Sequence, residues 1–129
     1  MTQDNAPMRV LVVDDEPLIR WAVSESLTQA GHDVLQATDA RSTLRALTDP
    51  QRVDVVLLDL RLPDSMDLSL LSRIRTLSPH SAVVLMSAHA GTDIATEARA
   101  LGAFAVLPKP FDLEGCELTL RQACSAVGH

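Results

Sequence analysis

The chain lacks the long apolar segment that a membrane-spanning helix needs: nowhere do its residues stay apolar for ~18 positions. It also lacks a basic excess. Lysine and arginine number 11 against 17 aspartates and glutamates, a formal net charge of −6. Surfaces that track phosphate backbones need the opposite balance, so nucleic acid is excluded as a direct partner. Cysteine is scarce, with only Cys116 and Cys124. Both fall in one predicted helix, where at ~1.5 Å rise per residue they stand roughly 12 Å apart, too far for a disulfide. Neither has His or Cys neighbours at zinc spacing. They read as small helix residues. The histidines (His32, His80, His89 and His129) are too scattered to form a metal cluster. There is no signal-peptide pattern, internal repeat, low-complexity segment or interdomain linker. Two unpaired thiols fit a reducing compartment, so a cytoplasmic protein is expected.

What is present is a rich apolar content. Of 129 residues, 47% are hydrophobic, enough for one domain whose core needs no disulfide or metal. Val53-Asp54-Val55-Val56-Leu57-Leu58-Asp59 is an apolar, β-branched run ending on a carboxylate. So short a run without polar alternation reads as a strand buried on both faces. Arg9 to Val13, Asp33 to Ala37, Ala82 to Ser87 and Ala103 to Leu107 read as four more strands. Between them lie helical spacings: Ile19, Val23, Leu27; Leu44, Leu47; Leu68, Leu71, Ile74, Leu77; Ile94, Ala98, Leu101; and finally Leu113, Leu118, Leu120. Pro17 suits a first helical turn, Gly31 and Gly102 read as helix stops, and Asp49-Pro50 and Ser78-Pro79 as breaks. Thr38 or Asp39 is expected to cap the second helix and Asp112 the last. Trp21 lies off the first helix's stripe and is expected to pack. Met1 to Pro7 reads as a loose leader, residues 8–126 as the domain, and 127–129 as a tail. Strict strand–helix alternation implies an α/β fold: five parallel strands, helices on both faces, right-handed crossovers.

Parallel strands place their carboxyl ends along one sheet edge, where open α/β sheets bind ligands. Four of those ends carry chemistry. The first ends on Asp14-Asp15, the third on Asp59, the fourth on Ser87 and the fifth on Lys109. Taken singly, each is more often a loop charge, cap or turn hydroxyl. Together they converge. Three neighbouring carboxylates repel one another unless a hard cation such as Mg²⁺ neutralises them. An ammonium and a hydroxyl beside them suit phosphoryl oxygens. A carboxylate can itself be the nucleophile, giving an aspartyl phosphate. Asp59 stands alone at its strand end and is the candidate acceptor, with Asp14 and Asp15 as the metal-holding pair.

The motifs Val12-Val13-Asp14-Asp15-Glu16, Leu57-Leu58-Asp59-Leu60-Arg61-Leu62-Pro63, Met86-Ser87-Ala88 and Pro108-Lys109-Pro110-Phe111 resemble those of receiver domains of bacterial two-component response regulators. Ile19-Arg20-Trp21 and Gly102-Ala103-Phe104 resemble the NtrC-like branch. The resemblance implies a flavodoxin-like sheet of order 2-1-3-4-5. It implies that Asp59 accepts a phosphoryl group, with Mg²⁺ held by Asp14, Asp15, Asp59 and the backbone carbonyl of Arg61. Ser87 would be the switch hydroxyl, Lys109 would pair with phosphoryl oxygens, and the bond before Pro110 would be cis. Arg61 and His89 would flank the site and tune how fast water reaches it. The partners implied are a sensor histidine kinase or phosphotransfer protein, an output domain or downstream protein, and a second copy of the chain on phosphorylation. The output surface would be the fourth helix, fifth strand and fifth helix, Thr92 to Ala126, and an excised regulatory domain is favoured over a stand-alone one.

Two departures from the family pattern stand out. Val106 occupies the place of the usual aromatic switch, and Phe104 does not substitute for it. Asp64-Ser65-Met66-Asp67 stands where many receivers have a glycine. Two other functions compete. An Mg²⁺-dependent aspartyl-phosphate phosphatase, resembling haloacid-dehalogenase-like enzymes, needs two aspartates separated by one residue, and Asp14-Asp15 are adjacent. A degenerate receiver serving as a fixed binding module is opposed by the intact acidic, serine and lysine positions. The expectation is a switch rather than a turnover enzyme.

Overall fold

The computed structural model describes residues 6–48, 52–65, 67–88 and 91–127. Residues 1–5 of the leader, Asp49-Pro50, Met66, His89 and His129 lie outside them. Ten elements alternate: β1 (Arg9–Val13), α1 (Pro17–Gln29), β2 (Asp33–Ala37), α2 (Ala40–Thr48), β3 (Val55–Asp59), α3 (Ser69–Leu77), β4 (Ala82–Ser87), α4 (Thr92–Ala100), β5 (Ala105–Pro108) and α5 (Leu113–Ala126). The sheet order is β2-β1-β3-β4-β5 and every pairing is parallel.

The uninterrupted apolar strands are explained by burial on both faces. Every residue of β3 and β4 is buried. Their side chains still alternate. Val56, Leu58, Val83 and Leu85 face one core with Leu70, Leu71 and Ile74 of α3 and Ala98 of α4. Val55, Leu57, Val84 and Met86 face the other, with Val23 and Leu27 of α1 and Leu120 and Ala123 of α5. Each helix therefore needs only one apolar stripe, while the central strands need two.

The glycine stops behave as expected. Gly31 and Gly102 have φ of +96° and +109°, a region that L side chains avoid. At Gly102 a Cβ would also press on the Arg75 side chain at 3.0 Å. Asp39 and Asp112 cap α2 and α5, through the amides of Ser42 and Gly115. Several expectations need correction. β3 begins at Val55, not Val53; Asp54 just before it accepts the Arg9 amide on its carboxylate at 2.9 Å. Trp21 does not pack; it is 61% exposed. Leu77, Leu101, Leu113 and Leu118 are exposed as well. On α5 the buried stripe is instead Cys116, Leu120, Ala123 and Cys124.

Candidate functional site

The site is built where the strands end. Asp14 follows β1, and its amide donates to the Ala37 carbonyl at the end of β2 (3.1 Å). Its side chain is completely buried, and Oδ1 accepts the Glu16 amide at 2.9 Å. Asp15 points outward. Asp59, the last residue of β3, is 7% exposed and accepts the Arg61 amide at 3.3 Å. Ser87 closes β4 and is buried. Its carbonyl accepts the Lys109 amide at 2.9 Å, which draws the chain after β5 over the site. The Lys109–Pro110 peptide is cis.

Lys109 is the hub. Its Nζ donates to Asp14 Oδ2 at 3.0 Å, to Asp59 Oδ2 at 3.2 Å and to Glu16 Oε1 at 3.3 Å. Burial works against its charge, but the bond to Asp14 and the charges of Asp59 and Asp14 outweigh this. The Lys109 pKa therefore lies above its ordinary value. Asp59 goes the other way for a carboxylate. Burial, then repulsion from Asp14, pushes its pKa up to about 6, against the pull of Lys109 and the Arg61 amide. A single ammonium thus leaves the acidic cluster under-neutralised. Asp14, Asp15 and Asp59 each offer an oxygen within 4.8 Å of the others. An all-oxygen donor set short of positive charge fits a hard divalent cation such as Mg²⁺. Above the acids opens a cleft of about 330 Å³ walled by Glu16, Arg61, Pro63, Ser87, Ala88 and Lys109.

The structure thus brings Asp14, Asp15, Asp59, Ser87, Lys109 and the Arg61 backbone to one place. Val106 and Phe104 stand apart from it. Val106 is half-buried on β5 against the core beneath α2, α3 and α4. Phe104 precedes β5 and is exposed, its amide held by the Val83 carbonyl at 2.8 Å. The Arg61 side chain is exposed, and His89 lies outside the described residues. Sequence reasoning assigned no role to Glu16, the third partner of Lys109. It also missed Arg20, whose guanidinium holds the Asp14 carbonyl at 2.8 Å and Gln36 Oε1 at 3.0 Å. No local pattern announces such a tether, because its partners lie on a loop and a neighbouring strand.

This sheet edge, with three acids, a serine and a lysine on successive strand ends, defines a receiver module. The chain belongs to the response regulator receiver domain family, whose model matches residues 10–121. Within it the chain is of the NtrC branch. It is 42% identical over 105 residues to the DNA-binding transcriptional regulator NtrC of Proteus hauseri, covering 81% of the chain and 22% of that protein. The receiver domain of NtrX from Brucella abortus superimposes with a TM-score of 0.82 at 36% identity, covering 90% of the chain and 98% of that domain. A response regulator from Burkholderia pseudomallei, solved with a phosphorylated aspartic acid, a calcium ion and citrate, gives a TM-score of 0.81 at 26% identity, over 93% of the chain and 70% of that one. The chain spans about a quarter of the length of its NtrC relatives. No described helix is long and apolar enough to cross a membrane.

Proposed function

We propose that the chain is a phosphorylation-controlled switch in which Asp59 accepts a phosphoryl group from a phosphohistidine of a sensor histidine kinase or phosphotransfer protein. The observation that carries this is the setting of Asp59: nearly buried at the end of the central strand, 3.2 Å from Lys109, open to one cleft. A carboxylate oxygen attacks phosphorus, the P–N bond to the donor imidazole breaks, and the imidazole takes a proton from solvent. Mg²⁺ held by Asp14, Asp15, Asp59 and the Arg61 carbonyl would supply charge neutralisation of the acids and of the phosphoryl oxygens. Lys109 exchanges the Asp59 oxygen for a phosphoryl oxygen, and the Ser87 hydroxyl donates to another. Arg61 at the cleft wall, and His89, two residues beyond Ser87 in sequence, set how fast water removes the group.

Ser87 ends β4, so its movement pulls on the segment leading to α4. Val106 has no ring to rotate, so the signal runs through Ser87 and the loops. The face of α4, β5 and α5, where Phe104 and Leu118 stand exposed, presents it to an output domain, a downstream protein or a second copy of the chain. The transferred group adds negative charge at one end of a packed sheet and shifts an existing equilibrium between two arrangements.

The test is acetyl phosphate with Mg²⁺, read by mass spectrometry. The parent chain should gain one phosphoryl group and stop, and Asp59→Asn should gain none. An unmodified parent would overturn the reading. Sustained release of phosphate from simple phosphomonoesters would favour an aspartyl-phosphate phosphatase instead.

A further inference from the structure

We propose that Asp64 is a positioning residue for the phosphoryl site: it ties the loop after β3 to the first turn of α2, and so sets where the Arg61 carbonyl stands. This rests on the functional reading above, which makes that carbonyl a ligand of Mg²⁺.

The first amides of a helix have no partner inside it and must find one elsewhere. At α2 all four are accounted for. The Asp39 amide donates to Ser42 Oγ at 3.3 Å, and the Ser42 amide to Asp39 Oδ1 at 2.8 Å. These two bonds are local to the helix end. The remaining two are not. The Ala40 and Arg41 amides donate to Asp64 Oδ1 and Oδ2, at 2.7 and 3.2 Å. Both carboxylate oxygens are used, at the helix end whose dipole favours negative charge. Asp64 is not needed to start α2, which already has its own cap. What it adds is a connection to another loop.

That loop leaves Asp59 at the end of β3 and carries Arg61. Leu60 is held by its amide to the Met86 carbonyl at 3.0 Å, and Arg61 by its amide to Asp59 at 3.3 Å. Leu62 and Ser65 exchange backbone bonds of 2.9 and 3.2 Å, closing a tight turn with Pro63 and Asp64 at its exposed tip. Among the described residues, it is Asp64 that fastens the tip. The far end of the connection is equally defined. α2 follows β2 directly, and the last residue of β2, Ala37, accepts the Asp14 amide. A continuous path thus runs from Asp14 through Ala37 and the α2 amides to Asp64 and back to Arg61. It spans the two loops that supply the cation's donors, and fixes their separation. Partners outside the ligand set commonly govern metal affinity in this way.

The experiment is calorimetric titration of the full chain with Mg²⁺, with Asp64→Ala and with Asp39→Ala as the control. The control weakens the same helix end but leaves the loop after β3 attached. Asp64→Ala should weaken Mg²⁺ binding about tenfold, and Asp39→Ala should leave it at the parent value. With acetyl phosphate, Asp64→Ala should need more Mg²⁺ yet reach the parent's maximal rate at saturation. In amide NMR spectra, Mg²⁺ should shift Ala40 and Arg41 in the parent and not in Asp64→Ala. Asp64→Asn keeps one acceptor oxygen, serves if the alanine variant does not fold, and should lie between the two. Parent-like Mg²⁺ binding by Asp64→Ala, or equal losses in both alanine variants, would overturn the positioning role alone. A parent that binds no Mg²⁺ would overturn this role and the functional reading together.

Discussion

At the scale of single residues, the site holds unbalanced charge. Asp59 shows this most directly. Its folded pKa is about 6, above its ordinary 3.8, so the folded chain binds this proton more tightly than the unfolded chain. The stability it contributes is therefore present below about pH 4 and lost as pH rises through about 6. At ~1.4 kcal/mol per pK unit, less solvent screening at the open cleft, Asp59→Asn should stabilise the metal-free chain by roughly 1–2 kcal/mol near neutral pH. Thermal melts in chelator across pH 4 to 8 would show it: the variant's advantage should vanish at the acid end. An advantage independent of pH would mean that Asp59 is not the strained group. The substitution proposed to prevent phosphorylation should thus make the chain more stable, as expected of a residue kept for chemistry.

At the scale of elements, α5 shows how cap, stripe and anchor combine. Asp112 caps it through the Gly115 amide, and a Cβ at Gly115 would stand 2.9 Å from the cap's own oxygen. Its buried stripe runs Cys116, Leu120, Ala123, Cys124, the i, i+4, i+7, i+8 pattern of one helix face. Burial pushes the Cys116 thiol up to about 12, so it is packing material rather than a nucleophile. Glu117 pins the helix to buried His32, whose Nδ1 accepts the Met8 amide at 2.9 Å while Nε2 meets the Glu117 carboxylate at 2.9 Å. Leu120 and Leu118 look alike in composition and differ entirely in setting, 0% against 57% exposed. Leu120→Ala should cost about 2–5 kcal/mol in chemical denaturation, while Leu118→Ala should stay within about 0.5 kcal/mol. If Leu118 serves the output face, its variant should instead weaken partner binding or self-association after phosphorylation.

At the scale of the whole molecule, one sheet separates two cores. The clusters around Ile74 and around Leu120 share no residue, yet both are built on alternate positions of the same strands. Unfolding should therefore be a single transition, with additive losses from the two faces. Ile74→Val and Leu120→Ala, singly and combined, should sum within about 0.5 kcal/mol. A biphasic curve or a large coupling term would show that the faces do not fail as one unit. The same architecture serves signalling. Asp59 and Ser87 end neighbouring strands that are buried throughout, so a change at the sheet edge meets rigid walls below and can be relieved only in the loops and helices above.

The fold was legible because its signal is local and repeated. Five strand-like runs, each followed by a helical stripe and the first four of those stripes ended by a glycine or proline, leave few topologies for a chain of this length. Parallel pairing alone gathers Asp14, Asp59, Ser87 and Lys109 at one edge, so the site's composition followed from order along the chain. What local patterns could not settle was which side of a helix looks inward once its neighbours are in place. Trp21, Leu113 and Leu118 are as apolar as their buried counterparts, and only the packed sheet turns them outward. Nor could the chain's order reveal contacts between loops distant in sequence. Asp64 reaches back to the amides of Ala40 and Arg41, Arg20 to the Asp14 carbonyl, and Lys109 joins three carboxylates at once. Strand ends and helix stripes are properties of short segments, and the amino-acid sequence determined them. The tethers, the exposed faces and the raised pKa of Asp59 come from burial and from charges brought together across the chain, and only the tertiary structure decided them.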